Sequence, residues 1–150
     1  MTSCELCHEN GGEVLWHNDL CRVVLIDDPD HHGFCQVIVN QHVKEMTDLP
    51  IAERTSLMHV VFATEEVMRS LMSPDKINLA CLGNVTPHVH WHVIPRFTLD
   101  PQFPNPIWGE RLRNNESKVR SHSLFEFKVA LQNKMTELME LSSDNLARHV

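Results

Sequence analysis

The stretch His88-Val89-His90-Trp91-His92-Val93-Ile94 decides how this chain is read. Side chains on a β-strand alternate between faces, about 6.6–6.8 Å apart at every second residue. As a strand, this stretch puts His88, His90 and His92 on one face and Val89, Trp91 and Val93 on the other. The apolar set reads as core, and the imidazoles line a surface or cleft. A row of imidazoles is costly without a use, because each ring must be desolvated or paired and neighbouring imidazoliums repel. A solvated polar face is the plain alternative. Two chemistries use such a row. His-x-His on a strand presents two nitrogens to one metal ion. Otherwise a neutral imidazole attacks phosphorus while its neighbours orient it and donate to phosphate oxygens. The isolated histidines His17, His59, His122 and His149 carry no such pattern and read as ordinary structural residues.

Strands flank this stretch. Residues 13–18, 20–26 and 34–39 are rich in β-branched and aliphatic side chains and read as three strands. Asp27-Asp28-Pro29-Asp30-His31-His32-Gly33 between them is turn chemistry. Thr47-Asp48-Leu49-Pro50-Ile51-Ala52-Glu53 announces a helix to about Met72, with an N-cap candidate and a proline in the first turn. Ile51, Leu57, Met58, Val61, Val67, Met68, Leu71 and Met72 give it an apolar stripe, and Ser73-Pro74-Asp75 stops it. A fourth strand is expected at 77–82 and a fifth at 88–94, with Pro95 ending the pairing. A Pro-rich loop at 98–108 carries Phe103 and Trp108, residues 110–121 are polar and basic, and a last helix is expected over 123–141. This order predicts an α+β domain with a mostly antiparallel sheet.

The 150 residues suit one domain, and no apolar run approaches the ~20 residues of a membrane span. The start, Met1-Thr2-Ser3-Cys4-Glu5-Leu6-Cys7, shows neither a basic flank nor an apolar core, so a cytoplasmic location without membrane attachment is expected. Thirteen Lys and Arg against 20 Asp and Glu give a net charge of −7, a poor balance for nucleic-acid binding. That balance leaves room for a small phosphate substrate held by local donors. Cys4-x-x-Cys7 fits zinc or a redox pair, although no βαβ unit surrounds it. Cys21, Cys35 and Cys81 fall in strands and read as small buried hydrophobes.

His-φ-His-φ-His-φ-φ, with φ apolar, resembles the signature of the histidine-triad (HIT) superfamily. Here every φ position is apolar, and the motif runs on into Pro95-Arg96. Leu25-Ile26-Asp27-Asp28 and Gly33 to His42 also resemble the family. Lys76 to His88 and Phe103-Pro-Asn-Pro-Ile-Trp108-Gly109 resemble a bacterial branch labelled diadenosine tetraphosphate hydrolase-like. The resemblance covers residues 4–109. It implies a HIT-like domain over 1–109, with a five-stranded antiparallel sheet and one long helix. Residues 110–150 are then a C-terminal helical extension, packed on the same domain or on a dimer partner.

The resemblance further implies a nucleotide hydrolase or transferase acting at an α-phosphate. In that reading His90 is the nucleophile, His92 contacts the phosphate and assists the leaving group, and His88 supports the strand. No cofactor is required for catalysis. Asp27 is expected to bind the ribose, with Asp28 as the register alternative. Asn78, Asn84 and Thr86 approach the phosphates, although Asn84 also suits a turn, and Arg96 is either a phosphate contact or a solvated cation. Some relatives close a Cys₂His₂ structural zinc site, here Cys4, Cys7, His42 and His88, with His8, His31 and His32 as further candidates. Trp108 and Phe103 either stack on a base or simply pack. A homodimer is expected from resemblance alone. Two readings stand beside this one: a hydrolase whose His90 and His92 hold a catalytic zinc, and a nucleotide-binding adaptor without turnover.

Overall fold

The computed structural model describes residues 3–116 and 122–148. His149 and part of the basic 110–121 segment lie outside them. Five strands, β1 (Glu13–His17), β2 (Cys21–Leu25), β3 (Cys35–Val39), β4 (Lys76–Ala80) and β5 (His90–Arg96), form one antiparallel sheet in the order β1-β2-β3-β5-β4. Among the described residues three α-helices accompany it: α1 (Glu5–His8), α2 (Ile51–Met72) and α3 (Leu124–Ala147). The fold is therefore α+β, as the strand pattern predicts.

Alternation divides the sheet into two faces. Cys21, Val23, Cys35, Val37, Val39, Ile77 and Val93 join one core with Leu57, Val61 and Met68 of α2. A fully buried side chain of this kind contributes about 1.5–3 kcal/mol. Thr64 is buried in the same helix and satisfied, its hydroxyl donating to the Val60 carbonyl at 2.8 Å. The opposite face carries Arg22, Gln36, Asn78 and the histidines. Gly33 sits at φ +86, where Met72 and Phe127 leave no room for a Cβ. Its side-chain-free backbone thus lets the turn after β2 close against both helices. No helix among the described residues is long and apolar enough to cross a membrane.

Several boundaries differ from expectation. Pro95 does not end β5 but pairs with Ile77. The β3 ladder on the other side of β5 stops at Val93, so Pro95 has a strand neighbour on one side only, where a missing N–H is tolerated. β4 ends at Ala80, so Cys81 is half-exposed rather than a buried strand residue. Thr47 lies in a separate 3-10 turn, Met46–Asp48, and Pro50 caps α2. α2 closes on Ser73, a left-handed C-cap at φ 47. α3 runs six residues beyond the expected Leu141. Its buried Phe127, Leu131 and Met135 belong to the same core as the sheet, and it packs on α2 and β1.

Candidate active site

β5 delivers the histidines. Its pairing with β3 sets His90 opposite Ile38 and His92 opposite Gln36, and both rings are buried. The His90 Nδ1 donates to the His88 carbonyl at 2.6 Å. A carbonyl only accepts, so the proton is on Nδ1 and Nε2 carries the lone pair. The Gln36 amide donates to His92 Nδ1 at 3.3 Å, which leaves the His92 proton on Nε2. Burial, helped by the neighbouring His90, lowers the His92 pKa to about 4, so this ring is neutral near pH 7. Phe34 stacks on His92 at 5.6 Å, and His90 and Trp108 meet it edge-on at 5.0 and 5.1 Å. One nitrogen lone pair thus stands beside one neutral N–H donor.

Both rings open into a cavity of about 370 Å³, lined also by Leu82, Gly83, Asn84, Val85, Thr86 and Trp108. The early end of β4 frees residues 82–86 to form its wall. Asn84 and Thr86 are therefore brought to the histidines. Asn78 is not part of this lining; its side-chain oxygen accepts from Arg96 at 2.8 Å. Arg96 is neither solvated nor a lining residue. It is 2% exposed, paired through Nε and Nη2 with Asp100 at 2.8 and 3.0 Å, and donates to the Asn105 carbonyl. Burial raises the Asp100 pKa, but the Arg96 hydrogen bonds and charge outweigh it and hold the carboxyl below its usual range. This pair anchors the loop that carries Trp108. Phe103 packs against the guanidinium, 5.7 Å away, rather than in the cavity.

Asp27 follows β2 and lines a second cavity of about 320 Å³, with Leu25, Ile26, Asp28, Phe127 and His122 among its walls. Asp28 accepts from the backbone of Asp30 and His31 and bonds the His31 ring, so its carboxylate is committed to the turn. Asp27 therefore lies in the wall of a different cavity from the one lined by His90 and His92. Phe34, stacked on His92, adjoins Gly33 of that wall.

A third grouping joins the chain's beginning to the sheet. The His88 Nε2 donates to the Val39 carbonyl at 2.6 Å, which turns its Nδ1 lone pair towards Cys4 Sγ and His42 Nδ1, each 3.3 Å away. Cys7 Sγ stands 3.3 Å from His42 Nδ1 and 3.6 Å from His88 Nδ1. All four ligand atoms lie within 4.8 Å of one another. Tetrahedral zinc at bond lengths of about 2.0–2.3 Å spaces its ligands roughly 3.3–3.8 Å apart, so the donor set fits that ion. His8, His31 and His32 are not in this cluster, and His31 is buried against Asp28. His88 thus leaves the row of His90 and His92, because β5 begins only at His90.

Residues 8–99 match the family model of the HIT domain. The chain belongs to the HIT domain family. It is 28% identical over 116 residues to the bis(5'-nucleosyl)-tetraphosphatase [asymmetrical] of Schizosaccharomyces pombe, covering 74% of this chain. It is 27% identical over 107 residues to an AP-4-A phosphorylase of Mycobacterium tuberculosis, covering 67% of this chain. The chain spans 63% and 55% of the lengths of these two relatives. A histidine triad protein from Bradyrhizobium japonicum superposes with a TM-score of 0.68 at 25% identity, over 88% of this chain and 96% of that one.

Three neighbours of these groupings escape the HIT motif. Gln36 is a cross-strand partner of His92, visible only once the β3–β5 register is known. Arg22 donates to the carbonyls of Leu6, Glu9 and Asn10 and to Asn40, binding the Cys-x-x-Cys segment to β2. An arginine within an apolar strand was the available signal. His122 enters the second cavity from a segment with no motif.

Proposed function

We propose that this chain is a nucleotidyl hydrolase or transferase acting at the α-phosphate of a dinucleoside polyphosphate or nucleoside phosphoramidate. The observation that carries this is the 2.6 Å bond from His90 Nδ1 to the His88 carbonyl, which leaves the lone pair on Nε2 of a ring that lines an open cavity. Nε2 attacks the α-phosphorus, and the bond from phosphorus to the leaving group breaks. His92, neutral and protonated on Nε2, donates to a phosphoryl oxygen as charge develops and assists departure. Water then attacks the nucleotidyl-histidine, the P–N bond breaks, and a nucleoside monophosphate leaves. Two displacements divide one hard step into two easier ones. In this reading Asn84 and Thr86, which line the histidine cavity, donate to the phosphate chain, and Asp27 accepts from a ribose. The names of the yeast and mycobacterial relatives support this substrate class.

Cys4, Cys7, His42 and His88 would hold a structural zinc. Four protein ligands leave no open position, so the ion would supply stability rather than Lewis acidity. The zinc-hydrolase alternative needs His90 and His92 as ligands. Among the described residues, the metal-competent cluster contains neither.

The test is nucleoside monophosphate release from diadenosine tetraphosphate, diadenosine triphosphate, adenosine phosphoramidate and their guanosine forms. Wild type and His90→Ala are compared, with and without EDTA. Release that survives EDTA and vanishes in the variant is expected. Binding of AMP without release from any substrate would instead support the adaptor reading.

A further inference from the structure

We infer that His122, delivered by the start of α3, is a specificity-determining contact to the nucleoside part of the substrate. This rests on the nucleotide reading above and assigns a residue to its second cavity. The His122 side chain is 7% exposed and lines the cavity that holds Asp27. Its Nδ1 is buried without a hydrogen-bond partner among the described residues, and the nearest carboxylate oxygen, on Glu126, is 3.7 Å away.

The position has an evident structural role, and that role leaves the nitrogen unexplained. Ser123 caps α3, with its hydroxyl accepting from the Glu126 amide at 3.2 Å and the Glu126 carboxylate accepting from the Ser123 amide at 2.7 Å. His122 is the residue before the cap and packs edge-on against Phe127, ring centroids 6.1 Å apart. This is the arrangement of a hydrophobic staple, which an apolar side chain fills best. A histidine adds a buried polar atom that the staple does not use and that carries a desolvation penalty. A ligand polar group in the cavity would remove that penalty.

The walls say which ligand. Leu25, Leu124 and Phe127 offer apolar surface, while Glu13 and Asp27 offer carboxylates. Carboxylates repel phosphate and accept from neutral hydroxyl and amino donors. The cavity therefore suits a nucleoside, with its phosphate held at His90 and His92.

The test is calorimetric binding of AMP and of pyrophosphate to the full chain as wild type, His122→Leu and His122→Gln. Leucine keeps the staple and removes the nitrogen, so its melting temperature should equal or exceed that of wild type. Loss of one buried hydrogen bond should weaken AMP binding by about tenfold in His122→Leu. Pyrophosphate binding should not change, and His122→Gln should recover part of the AMP affinity. Unchanged AMP affinity in His122→Leu, or equal weakening of AMP and pyrophosphate, would overturn the assignment. Wild type that binds pyrophosphate but not AMP would overturn the nucleotide reading itself, and this inference with it.

Discussion

His88 serves two sites through two different atoms. Its carbonyl fixes the His90 tautomer, and its ring, held by the Val39 carbonyl, faces Cys4 and His42. The sequence put the three histidines on one face, and the register confirms this for His90 and His92. Strand alternation alone did not show that the His88 ring is drawn away, which depends on where β5 begins; the family resemblance named it with Cys4, Cys7 and His42, and the structure brings these four together. His90→Ala should lower turnover by roughly 10³-fold or more while the melting temperature stays within a few degrees. Retained turnover would remove His90 from the mechanism. His92 gives a pH prediction. Its folded pKa is about 4, below the ordinary 6.5, so the unfolded state takes up this proton first. Stability from this ring is complete above about pH 6.5 and is lost as pH falls towards 4. Melting curves of wild type and His92→Asn across that range should converge at the acid end. Parallel curves would show that the ring titrates alike in both states.

At the scale of elements, apolar periodicity located α2 and α3 because a helix stripe is a local signal. The ends were less legible. Pro95 continues β5 only because β3 has already stopped beside it, a fact of register rather than of local sequence. The end of β4 at Ala80 was hidden for the same reason, and with it the loop that walls the histidine cavity. α3 also separates packing from exposure. Phe127 is 3% exposed in the shared core, and Phe125 is 73% exposed. Phe127→Ala should cost about 3–5 kcal/mol by urea unfolding, and Phe125→Ala less than about 0.5 kcal/mol. Equal costs would place the working face of α3 elsewhere.

Across the whole molecule, polar struts fasten the segments around the sheet. Arg22 holds the Cys-x-x-Cys segment through three carbonyls, and Arg96 with Asp100 holds the loop that bears Trp108. Arg22 left only the signal of a charge within an apolar strand, and Arg96 left none, because its burial with the nearby Asp100 depends on how the following loop folds back. Cys4-x-x-Cys7 was legible as a metal motif, and the structure brings it to His42 and His88. Purified protein should carry about one zinc per chain. Chelation should lower the melting temperature by roughly 10 °C and leave His90-dependent turnover measurable at low temperature. Cys4→Ala or His42→Ala should reproduce both effects. A fully stable apo protein would dismiss the structural-zinc reading. The most direct measurement of the central claim is mass spectrometry of protein quenched in acid during turnover of diadenosine tetraphosphate. The account predicts one adenylyl group, localised to His90 by fragmentation and missing from His90→Ala. Full turnover by His90→Ala, or an adenylyl group localised to another residue, would contradict it.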